Sequence, residues 1–113
     1  MKEVIWKEIE PIIYNEHNKD TIYFLEFISK WNQEWKVMNK IIQKVEEYFK
    51  NNNKVVFLQI DADESSLFNN LNSNFEVIRI PTHIIMVNKK IIFKGYDNYP
   101  KEIFIDVITN ILN

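Results

Sequence analysis

The chain has 113 residues, of which 46% are hydrophobic and 14% aromatic, so it has one domain's length and enough apolar material for a two- or three-layer core. The net charge is -2 and Arg79 is the single arginine. That argues against non-specific binding to nucleic acid or anionic membrane, which needs a basic excess, and leaves bidentate phosphate readout almost nothing to work with. No apolar run approaches the roughly 18 residues of a membrane span, and Met1 to Glu8 hold no apolar signal core. A soluble, cytoplasmic protein is therefore expected.

Ile5, Ile9, Ile12 and Ile13 predict an amphipathic helix from Val4 to about Asn18, with Pro11 inside it removing one helical hydrogen bond. Thr21 to Ile28 is a near-continuous β-branched and aromatic run, the pattern of a central strand covered on both faces. Asn32 is placed to cap a long helix reaching about Lys50, with Glu34 in its first turn. Trp35, Met38, Ile42, Val45 and Phe49 form the apolar stripe of that helix. Lys54 to Ile60 reads as a second buried strand, and Asp63 as the cap of a short helix carrying Leu67, Phe68 and Leu71.

Thr82 to Val87 and Ile91 to Lys94 read as strands joined at hairpin length by Asn88-Lys89-Lys90, with Gly95 ending the second. Asn98-Tyr99-Pro100 opens a final helix with proline in its first turn and Ile103, Phe104, Val107, Ile108 and Ile111 facing inward. The order α-β-α-β-α-β-β-α gives a three-layer α/β/α fold around a central mixed four-stranded sheet. There is no internal repeat or linker, so residues 1–113 are expected to form one domain.

Few residues are arranged for chemistry. With no cysteine in the chain, thiol nucleophiles and thiolate metal sites are absent. His17 lies in a polar segment and reads as a surface residue. Asp61, Asp63 and Glu64 lack the turn glycine and the distal bidentate acid of a calcium loop, and suit helix capping better. Ser65 and Ser66 have no histidine placed as a base. One glycine cannot make a phosphate loop. Neither a metal nor a small-molecule cofactor is expected.

Two segments carry a family resemblance. Trp31-Asn32-Gln33-Glu34-Trp35-Lys36 opens the long helix after a buried strand, and Ile80-Pro81-Thr82 follows about fifty residues later at the head of the next strand. This resembles the thioredoxin family, in which Trp-Cys-x-x-Cys-Lys faces a cis-proline, over roughly residues 20 to 112. The resemblance implies a thioredoxin-like fold with Pro81 as the cis-proline. The family's N-terminal strand is not evident. Asn32 and Trp35 occupy the two cysteine positions, and thiol–disulfide exchange needs sulfur. The resemblance also puts Glu26 at the family's buried acid, Phe57 at the lysine near it, and His83 where the family has an apolar residue.

Glu26 shares a strand face with Ile22, Phe24 and Ile28, where a lone carboxylate is costly unless paired or protonated. Either His83 pairs with it across adjacent strands, or the Glu26 side chain reaches solvent and His83 is half-exposed.

The expected function is that of a redox-inactive thioredoxin-like module for protein interaction or scaffolding, within a larger assembly if the family's cysteine-free subunits are a guide. Partner segments would lie in a groove of Trp31, Asn32, Gln33, Glu34, Ile80, Pro81, Gly95 and Tyr96, the surface that the resemblance implies. Against this stands a vestigial groove in which Trp35 plugs the vacated cysteine site. A chaperone-like substrate-holding module is the alternative, and a thiol-independent enzyme using Glu26 and His83 is a further one.

Overall fold

A computed structural model describes residues 1–31, 33–70 and 73–113. Its elements are β1 (Lys2–Val4), α1 (Trp6–Ile13), β2 (Ile22–Ile28), α2 (Trp35–Tyr48), β3 (Val55–Asp61), β4 (Thr82–Val87), β5 (Lys90–Tyr96) and α3 (Lys101–Leu112). The sheet order is β1-β3-β2-β4-β5, with β1, β3 and β2 parallel and β4 antiparallel to both its neighbours. Every residue of β2 is buried, Glu26 included, as its near-continuous apolar run requires of a central strand.

Strand alternation sorts the interior into two cores. Tyr23, Leu25 and Phe27 point into one, with Ile84 and Met86, under α1 and the segment approaching Pro81. Ile22 and Phe24 point into the other, with Phe57 and Ile85, under Met38, Ile42 and Val45 of α2 and Phe104 and Ile108 of α3. Among the described residues no helix is long and apolar enough to cross a membrane.

Several expectations change. The sheet has five strands rather than four, because Lys2–Val4 adds to the free edge of β3. α1 starts at Trp6, so the buried residues are Trp6 and Ile13, while Ile5 and Ile12 are half-exposed. It ends two residues after Pro11, and a 3-10 turn at Glu16–Asn18, capped by Asn15, replaces its expected continuation. No helix forms at 61–68. The Asp61 carboxylate accepts from the amides of Asp63 and Glu64, closing a turn instead. Leu71 and Asn32, with the capping role expected of the latter, lie outside the described residues. Glu34 occupies the cap position of α2 without a side-chain capping bond. Pro100 caps α3 from just outside its first turn, and Ile103 is 39% exposed rather than inward.

The hairpin is tighter than expected. Asn88 and Lys89 alone make the turn, with φ of 51° and 65°, the left-handed pair that matches strand twist. β5 then runs through Gly95 to Tyr96. Gly95 is needed because the Tyr99 ring lies across it: a Cβ would stand 2.6 Å from the ring. That ring is wedged edge-on against Phe93 and His83, so it has little room to give. Gly95→Ala should cost about 1–3 kcal/mol of stability by overpacking. Urea melts would show it, and the cost should shrink in a Tyr99→Ala background.

Candidate functional site

The site lies where β2 ends, α2 begins and the chain turns through Pro81 into β4. Ser29, buried just past β2, organises the first part. Its hydroxyl donates to Asp63 Oδ2 at 2.7 Å and accepts from the Trp31 amide at 3.3 Å. Its carbonyl accepts the Trp35 indole N–H at 2.7 Å. Trp35 therefore does not continue the α2 stripe, which packs on the far core. It turns onto the α1 side of the sheet, because an indole donor needs an acceptor and Ser29 supplies one.

The second part is the approach to Pro81. The Ile80–Pro81 peptide is cis, the Thr82 hydroxyl donates to the Arg79 carbonyl at 2.6 Å, and the Asp97 amide donates to the Pro81 carbonyl at 3.2 Å. A cleft of about 430 Å³ opens here, lined by Glu34, Val37, Arg79, Pro81, Asp97 and Asn98. Arg79 Nη2 pairs with Asp97 Oδ2 at 2.6 Å across it.

Of the residues expected to form the groove, Glu34 and Pro81 line this cleft. Ile80 and Gly95 are buried and do not line it. Tyr96 is directed elsewhere, donating from its hydroxyl to the Glu76 carbonyl at 3.2 Å. Gln33 folds back to donate to the Lys30 carbonyl at 2.9 Å. Trp31 is 64% exposed but stands against Phe68, outside the cleft. Asn32 is outside the described residues. Val37, Arg79, Asp97 and Asn98 join the site only through the fold. Arg79 alone carries a visible clue, as the single arginine directly before Ile80-Pro81.

Glu26 and His83 face each other in antiparallel register across β2 and β4, and both are fully buried. His83 Nδ1 lies 2.5 Å from Glu26 Oε1, and His83 Nε2 lies 2.6 Å from the Asp97 carbonyl. A carbonyl can only accept, so Nε2 carries a hydrogen and a further proton is shared between Nδ1 and Oε1. Burial raises the Glu26 carboxyl to about 7, its hydrogen bond to His83 offsetting only part of that. Burial alone would lower His83, but the bond and charge of Glu26, with the Asp97 carbonyl, hold it above its ordinary value. With neither side chain reaching solvent, the pair cannot touch a substrate, and the acid–base enzyme alternative is withdrawn. Phe57, at the family's lysine position, is stacked on Phe24.

The thioredoxin family model matches residues 7–110. This chain belongs to the thioredoxin family. A thioredoxin of Mycoplasmopsis pulmonis is 35% identical over 109 residues, covering 96% of this chain and 95% of that protein. Among solved structures, chloroplastic thioredoxin z superposes with a TM-score of 0.75 at 17% identity, covering 99% of this chain and 94% of that one. Spinach chloroplast thioredoxin f gives 0.74 at 18% identity, covering 99% and 86%. A mutant thioredoxin from Halobacterium salinarum gives 0.75 at 13% identity, covering 99% and 90%. At such identities these structures establish the shared fold. This thioredoxin-family chain has no sulfur nucleophile with which to perform the family's dithiol exchange.

Two outcomes are expected. In an insulin-reduction assay with dithiothreitol the pure protein should match the blank. Stability should fall as pH rises: folded Glu26 binds its proton up to about 7 against 4.5 unfolded, so its contribution is complete below 4.5 and lost as pH climbs through about 7. The His83 shift has the same sign. Urea melts across this range should show the decline, and a Glu26→Leu/His83→Leu variant should flatten it.

Proposed function

We propose that this redox-inactive thioredoxin-family chain is a protein-interaction module that seats an extended partner segment in the cleft beside Pro81. The observation carrying the proposal is the position of Trp35. Its indole is bonded to Ser29 on the α1 side, and the space between α2 and Asp97 stays open. An indole plugging that space would have favoured a vestigial groove. The cleft combines an exposed aliphatic side chain, Val37 at 64%, with the Arg79–Asp97 pair and the backbone at Pro81. Strand-like docking uses such a combination, with main chain for affinity and flanking side chains for selection.

Trp31 and Ile78, both more than half exposed and outside the cleft, are further apolar surface a partner could cover. The role is scaffolding within a protein assembly in the cytoplasm, as the sequence suggests.

The test is affinity capture of the native protein with identification of bound chains, repeated with Val37→Asp. Ile80 is unsuitable for such a probe, since at 6% exposure a charge there would test folding. Val37→Asp should reduce capture of the specific partner about tenfold or more, the scale of a central contact residue. Undiminished capture of every partner would exclude the cleft.

A further inference from the structure

The outer faces of α2 and α3 carry charges that the fold itself does not use. Lys40 and Lys44 stand one turn apart on α2, and with Lys101 they line a shallow recess beside Gln43, Glu47 and Tyr48. All three lysines are exposed, and none has an ion-pair partner among the described residues. The acid in the recess, Glu47, pairs with Lys50 at 2.7 Å instead.

Local electrostatics opposes this arrangement. Like charges at i and i+4 repel, and Lys101 is the first residue of α3, where the helix dipole disfavours a cation. In a chain of net charge -2, three cations converge around a single carboxylate, Glu47, which is already paired with Lys50. A local rule broken with so little internal compensation points to an external one.

The recess lies next along the chain from the cleft on both of its sides. Val37, on the cleft wall, precedes Lys40 by three residues and so shares its face of α2. Asn98, on the opposite wall, precedes Lys101 by three residues. A segment lying beside Pro81 and continuing over the outer surface of α2 would reach these lysines.

We infer that Lys40, Lys44 and Lys101 bind the acidic continuation of the partner segment, a stretch with Asp or Glu at alternate positions; this rests on the cleft-binding reading. The spacing fits. One turn of α2 separates Lys40 and Lys44 by about 6 Å along the axis. Alternate side chains of an extended segment are about 6.5 Å apart on one face. A phosphate backbone or flat anionic membrane fits less well. Lysine offers no bidentate fork, and Glu47, Glu102 and Asp106 are exposed on the same helices and would repel a continuous negative surface. A narrow acidic segment passes between them.

The experiment uses the whole chain and two labelled peptides, each with an apolar β-branched half followed by alternating Glu or alternating Gln. Fluorescence anisotropy should show the Glu peptide binding about tenfold more tightly, with the difference erased at high salt. Lys40→Gln/Lys44→Gln/Lys101→Gln, with folding checked by circular dichroism, should remove the preference. The corresponding triple Arg variant should keep it. Val37→Asp should weaken the Gln peptide, which reports the cleft alone.

Equal binding of the two peptides, or a preference that survives the triple Gln change, would overturn the inference and leave the cleft reading intact. A preference for Glu with no effect of Val37→Asp on the Gln peptide would support the lysines and remove the cleft. No binding of either peptide would overturn both. Oligonucleotides or anionic vesicles binding as tightly as the Glu peptide would overturn it too, showing a surface for any polyanion.

Discussion

A carboxyl group on the central strand, sealed from water, is the constraint around which the site is arranged. β2 is flanked by β3 and β4 and covered by helices, so Glu26 has no path outward. It is tolerable there only with a proton held close, and the antiparallel register delivers His83 opposite it. The far nitrogen of the same ring is then committed to the Asp97 carbonyl. Asp97 in turn fixes Pro81 through its amide and Arg79 through its carboxylate. A requirement of the core thus sets the shape of one cleft wall. The backbone at Asp97, held at φ 62°, is the meeting point.

The scaffold is largely legible in the sequence because its strongest patterns are local and periodic. β2 and β4 announce themselves as apolar runs interrupted only by Glu26 in the first and by Thr82 and His83 at the head of the second, and Met38, Ile42, Val45 and Phe49 recur at helical spacing; all four are buried. What stays hidden depends on partners distant in the chain. Lys2–Val4 is too short and polar to read as a strand, and becomes one because the edge of β3 is free. The phase of α1 misleads because four isoleucines suggest a start earlier than Trp6, and two of them are half-exposed. At 61–68 the choice of Asp61 over Asp63 as the capping acid decides between a turn and a helix, and that choice rests on Ser29, 34 residues away.

The candidate site is legible in outline and not in detail. The positions of Glu34 and Pro81 follow from the resemblance. The Arg79–Asp97 pair joins two loops with no shared periodicity, and nothing in the order of residues forecasts it. Function in this fold resides in such loop-borne side chains, carried by a frame indifferent to them.

The indole at position 35 bears on how readily this frame could accept a thiol. Its N–H satisfies the Ser29 carbonyl and its ring fills part of the α1-side core. Truncating it toward a cysteine would strand that carbonyl and open a void, at a cost on the order of 3 kcal/mol. A thiol placed at 35 would also find Phe57 stacked where the family resemblance puts a lysine. Converting this chain to an oxidoreductase would therefore be opposed by its own packing at both positions, so the fold itself stands against dithiol chemistry here.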